Sequence, residues 1–180
     1  MKKKYRDQAL NVLINELNDK DFDTREHALF QIGLLLERSN QGGSLTNVPD
    51  IYSDNLSRDL LRLTLSNKEQ NRVIDSLSRL IAMDNESRPT AFWTLGKANG
   101  ELAFAPLLAL IKAVGNKLNN EAAYQACDSL CRWLQAGLAD DKNRSEQLKL
   151  QDPTAILNRW QESSDERLTA SVETVLEILS

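Results

Sequence analysis

Seven glycines and four prolines in 180 residues are few, so extended and sandwich folds built on tight turns start at a disadvantage. Two cysteines, Cys127 and Cys131, cannot make a disulfide framework. They stand four apart in a helical pattern and read as two reduced thiols on one helix face, which fits a reducing cytoplasm as the expected compartment. One histidine, His27, leaves no redundancy for a Ser-His-Asp or Cys-His system. No stretch approaches roughly eighteen uninterrupted apolar residues, so no membrane span is expected. The basic start, Lys2, Lys3, Lys4 and Arg6, lacks the sequel of a signal peptide, because Asp7, Gln8, Asn11 and Asn15 interrupt any apolar region. Nor is there an excess of positive charge. Lys plus Arg is 22 against 26 for Asp plus Glu, a net −4, the wrong sign for a protein that coats nucleic acid.

What the chain does have is leucine and its relatives at helical spacing. Leu10, Leu13, Ile14 and Leu17 form one stripe, and Ala28, Leu29, Ile32, Leu35 and Leu36 the next. Further stripes pass through Leu56, Leu60 and Leu63; Val73, Leu77, Leu80 and Ile81; Ala91, Phe92 and Leu95; and Leu107, Leu108 and Ile111. Ala123, Ala126, Cys127 and Leu130, then Ile156, Leu157 and Trp160, then Leu168, Val172, Val175 and Leu179 complete nine candidate helices. No segment of comparable length alternates with period two, so the fold class is all-α. Ser66-Asn-Lys-Glu69 and Ser163-Ser-Asp-Glu166 fit the capping box, and Asp23-Thr-Arg-Glu26 is a variant of it. Asp152-Pro153 and Ser87-Arg-Pro89 place a capping side chain ahead of a first-turn proline. Residues 40–53 and 137–153 read as long connections, the second carrying Asp140 and Asp141.

The helices also repeat. Arg25-Glu-His-Ala28-Leu29-Phe30-Gln-Ile32-Gly33 matches Arg88-Pro-Thr-Ala91-Phe92-Trp93-Thr-Leu95-Gly96 position for position. A third copy runs from Ala123 to Cys131 and a weaker fourth from Arg167 to Val175, so anchor alanines fall at 28, 91, 126 and 170. With Leu13–Leu17 before an acidic turn, and Ala105-Pro106 opening a Leu-rich helix, the chain resembles the HEAT-repeat family and related armadillo-like repeats. The resemblance covers about residues 9–38, 70–136 and 154–179. It implies an α-α superhelix of about four helix pairs plus one extra helix, in one domain over 1–180. The units are about 9–38, 70–99, 103–136 and 154–179, with an inserted helix and loop at 40–66. It further implies that the second helix of each pair lines a concave, partner-binding face.

No residue set points to catalysis, a cofactor or a metal. Cys127 and Cys131 would give zinc two ligands, with His27 the only other N or S candidate, and both align with small core positions. Counting from each anchor alanine, core positions fall at 0, +1, +4 and +5, and the opposite side is centred near −1, +2 and +6. The outward set includes His27, Phe30 and Leu34; Trp93 and Lys97; Asp128 and Arg132; and Val172 and Leu176. Large apolar residues at +2 either pack sideways on the neighbouring unit or anchor a partner. Trp133 and Trp160 read as core. The expected function is a non-catalytic protein-binding scaffold or adaptor, with Phe30, Trp93, Lys97 and Arg132 as partner-binding residues. The resemblance leaves two alternatives open. One is a HEAT-like DNA-binding or alkylpurine glycosylase-type protein, with Trp93 and Asp128 in its site. The other is a phycobilin lyase-like, chromophore-handling subunit.

Overall fold

The computed structural model describes residues 3–41, 50–136 and 142–179. Among these every regular element is helical and no strand occurs. The helices are α1 (Lys3–Glu16), α2 (Phe22–Asn40), α3 (Asp50–Asn55), α4 (Arg58–Leu61), α5 (Asn67–Met83) and α6 (Arg88–Leu95). They continue with α7 (Gly100–Val114), α8 (Asn120–Gln135), α9 (Lys142–Gln151), α10 (Thr154–Gln161) and α11 (Glu166–Leu179), and a 3-10 turn at Gly115–Lys117 follows α7. Successive helices pair as α1 with α2, α5 with α6, α7 with α8, and α10 with α11. The second members also touch in succession: α2 packs on α6, α6 on α8, and α8 on α11. On the other side α5 packs on α7.

Burial follows the repeat in its first three copies. Ala28, Leu29, Ile32 and Gly33 are buried, as are Ala91, Phe92, Leu95 and Gly96, and Ala126, Cys127 and Leu130. Bare backbone matters at Gly96, where a Cβ would lie 2.0 Å from Ser129 Oγ of α8, so only glycine permits this approach. The fourth copy is displaced. Ala170 is exposed, and α11 buries Leu168, Val172 and Val175 instead, so its anchor alanine is a surface residue.

Two stretches depart from the sequence reading. The helix expected at Leu56–Leu65 is broken: Ser57, extended at ψ 159°, accepts from the Leu60 amide to start the short α4, and residues 63–66 run without helix. That extended path buries both Leu63 and Leu65, which a helix would point apart, and lets the Leu65 amide donate to Ser39 Oγ at 2.9 Å. The connection at 137–153 contains α9, which packs on α7 through buried Leu148. Residues 42–49 of the other connection, and Asp140 and Asp141, lie outside the described residues, as do Lys2 and the side chains of Lys3, Lys4 and Arg6.

Capping explains where the helices begin. Ser66 and Glu69 form the reciprocal box at α5. At α2 the cap is Asp21, not Asp23: its carboxylate accepts from the Thr24 amide at 2.8 Å and the Thr24 hydroxyl at 2.7 Å, which holds its pKa below the usual value. At α11 the role falls to Asp165 rather than Ser163, since the Arg167 and Leu168 amides donate to Asp165 Oδ1. Ser87 makes no cap bond and instead accepts from Arg25 Nε at 3.3 Å, across a repeat boundary.

Candidate partner-binding face

Phe30 on α2 and Trp93 on α6 are repeat equivalents, and the α2–α6 packing brings them together. Their ring centroids are 5.7 Å apart with planes 13° from parallel, an offset stack. Gly33, one turn after Phe30, is what lets the indole lie down on α2: a Cβ there would come within 2.4 Å of Trp93 Cζ3. Both rings are half-buried, so the sideways-packing component is real and part of each ring still meets solvent.

Lys97 follows Trp93 by one helical turn. Its ammonium stands 5.2 Å from the Trp93 ring centroid and 2.7 Å from Glu37 Oε1. Arg132 comes from α8. Its Nη2 lies 3.0 Å from Asp128 Oδ2 and would be 3.1 Å from a Cβ on Gly96, the residue beside Lys97. The four residues therefore form one strip across three helices, in the order Phe30, Trp93, Lys97, Arg132. Each cation on the strip already holds a carboxylate.

Other outward positions behave differently. His27 is exposed, as the repeat predicts. Leu34 is 2% exposed and Val172 is fully buried, so both belong to the core and correct the outward set. Trp133 and Trp160 are buried, and Trp160 Nε1 donates to the Gly115 carbonyl at 3.2 Å. At the α8–α11 seam the sequence reading missed a second aromatic–cation contact: the Arg167 guanidinium lies 4.8 Å from the Tyr124 ring centroid and 2.9 Å from Glu121 Oε2. Tyr124 sits two before its anchor, where the first two units hold Glu26 and Pro89, so the +2 template passed over it.

Among the described residues no three His, Cys, Asp or Glu side chains gather as a metal site, and no helix is long and apolar enough to cross a membrane. Asp128, the carboxylate of the glycosylase-type alternative, is engaged by Arg132. Cys127 is fully buried and burial pushes its thiol up to about 12, with the neighbouring Cys131 and Asp128 adding to the shift. Cys131 is half-buried and raised by the same cause. Above the ordinary value of 9.0 the unfolded chain releases the Cys127 proton while the folded chain keeps it, so stability falls as pH rises towards about 12. Urea midpoints should therefore drop less between pH 8 and 11 for Cys127→Ala than for the parent; equal drops would show that this thiol does not govern the alkaline limb.

No protein-family model matches the chain, and no curated protein matches it at a significant level of similarity.

Proposed function

We propose that the chain is a non-catalytic protein-interaction scaffold. In this reading its helix pairs stack as a HEAT-like superhelix, and the row α2, α6, α8, α11 is the face offered to a partner. The observation that carries it is the continuity of Phe30, Trp93, Lys97 and Arg132 across three helices. A partly exposed indole beside cations is the composition from which interface anchors are built, since Trp and Arg are favoured hot-spot residues. The pairing of the strip's cations supports a protein partner over a nucleic acid. Lys97 is bound to Glu37 and Arg132 to Asp128, so the strip presents balanced ion pairs rather than the free cations that a phosphate backbone requires. Such pairs can be exchanged for a partner's carboxylates and guanidinium groups at the rim of a protein interface.

The test is affinity capture from the source cell with the parent chain and with Arg132→Glu. The Arg132 side chain is 43% exposed, so the substitution leaves folding intact and serves as a surface probe. The proteins retained by the parent should be depleted on the variant at equal helicity and melting temperature. Retention of the same set by both, or retention of nucleic acid in their place, would overturn the reading.

A further inference from the structure

The rows of helices are not equally closed. α2 and α6 pack directly, but their partners α1 and α5 do not close on each other and leave an open groove of about 620 Å³. Its apolar part is Ile14 from α1 and Leu17 just after it, with Leu80 and Met83 from α5. Met83 is 85% exposed, the most exposed large apolar side chain among the described residues. A thioether on an open surface adapts to varied apolar side chains, which makes it a recurrent lining of peptide-binding surfaces.

The polar part sorts into satisfied and unsatisfied groups. At the closed end Arg25 and Asp84 are ion-paired at 3.1 Å, and Asp19 accepts from the Asp21 amide at 2.9 Å. Arg72, one turn beyond the groove, donates to Asn11 Oδ1 at 2.6 Å, tying the two helices together there. Arg79 differs. Among the described residues its guanidinium meets only the neutral Ser76 hydroxyl, at 3.3 Å, and no carboxylate pairs with it, Asp75 on the same helix included. The groove thus has an apolar floor, one cation whose charge is unanswered and an exposed Asn15 carboxamide opposite.

We propose that this groove is a second docking surface, separate from the α2–α6–α8 strip, for a peptide segment of a partner protein that carries a carboxylate within about a helical turn of one or two bulky apolar side chains. The apolar side chains sit on Ile14, Leu17, Leu80 and Met83, and the carboxylate forms a forked pair with Arg79. A groove open along its length suits a chain segment, which needs cover on one side only, better than a small molecule, which needs enclosure.

The experiment pans a phage-displayed library of random twelve-residue peptides on the full chain and measures an enriched peptide by fluorescence anisotropy. Enriched peptides are expected to place Asp or Glu near Leu, Ile, Phe or Met. Arg79→Glu and Met83→Glu, both at exposed positions, should each weaken binding about tenfold or more with melting temperature unchanged, and Trp93→Ala should leave it intact. Replacing the peptide's acid by Lys should restore binding to Arg79→Glu. Three results overturn the proposal: no enrichment over the Arg79→Glu, Met83→Glu double variant; binding indifferent to both substitutions; or a concentration-dependent dimer that Arg79→Glu dissolves, which would make a second copy the occupant.

Discussion

Arg25→Ala is expected to lower the unfolding free energy by about 2–3 kcal/mol, read as a shifted urea midpoint at unchanged slope. The Arg25 side chain is 11% exposed and closes two turns at once. Its Nη1 donates to the Asp19 and Lys20 carbonyls, both at 3.0 Å, holding the turn between α1 and α2. Its Nε reaches Asp84 Oδ2 at 3.1 Å and Ser87 Oγ at 3.3 Å in the turn between α5 and α6. Removing it strands two carbonyls and a carboxylate that is only 22% exposed. A broken, fully buried pair costs about 3–5 kcal/mol and an exposed one about 0.2–1, so this partly covered site lies between. Arg25→Lys should recover only part of the loss, because an ammonium cannot serve four acceptors spread over two turns. The repeat equivalent Arg167 is 58% exposed, and Arg167→Ala should move the midpoint little. Equal effects at both positions would mean that the helix-start arginines contribute through charge alone.

That difference between Arg25 and Arg167 marks how far the sequence could be read. The helix class and the buried positions of α2, α6 and α8 were legible because small residues recur wherever two backbones must approach, as Gly33 does under Trp93 and Gly96 beside Ser129. The repeat could not show which arginines turn inward, since that depends on which turn carbonyls and carboxylates come within reach, as Asp19, Lys20 and Asp84 do for Arg25 and Ile81 and Ala82 for Arg88. It misplaced α11 for a related reason. Ala170 and Val172 both suit a core, and packing on α8 and α10 chose the register that buries Val172. The helix α9 left no periodic signal: KNRSEQLKLQ offers the α7 surface one buried leucine, Leu148. Leu56–Leu65 gave a false one, because Leu60 and Leu63 suit a helix face, while Leu63 and Leu65 also suit an extended strand of chain pinned by Ser39. The caps lie two residues from the expected ones, Asp21 before Asp23 at α2 and Asp165 after Ser163 at α11, because each of these short stretches offers more than one side chain able to accept amide hydrogens.

The candidate strip was legible as a set of positions but not as an arrangement. The +2 rule selected Phe30 and Trp93, yet the fold alone brings the two rings into a stack and sets Glu37 against Lys97, whereas Asp128 and Arg132 are a local i,i+4 pair. Glu37 lies in α2 and Lys97 after α6, sixty residues apart in sequence (97 minus 37), so no local pattern could couple them. The groove between α1 and α5 left no trace either, since Ile14, Leu17 and Leu80 read as ordinary core stripes. What makes it a groove is that α1 and α5, tied by Arg72 and Asn11 at one place, do not pack along the rest of their length.

Trp93→Ala should produce two separable losses. The indole packs on Phe30 and on the bare backbone at Gly33, so its removal uncovers both and costs about 2–3 kcal/mol of stability, at the low end of the ~3–5 of a fully enclosed Trp because part of the residue meets solvent. If the strip is the docking face, the same substitution removes the large, stiff contact area at its centre and should weaken the captured partner by about 2 kcal/mol, near thirtyfold. The two are separated by measuring affinity well below the variant's melting temperature, where the chain is folded. Gly33→Ala sharpens the comparison: its Cβ would fall 2.4 Å from Trp93 Cζ3, so it displaces the ring without deleting it. A partner that reads the ring's position loses affinity to both variants, while one that touches only the cations loses it to neither. Affinity unchanged in Trp93→Ala, with a sharply lowered melting temperature, would assign the indole to the α2–α6 seam alone. The partner face would then reduce to Lys97 and Arg132, whose effects should shrink together as salt is raised towards about 1 M, where the Debye length falls to about 3 Å.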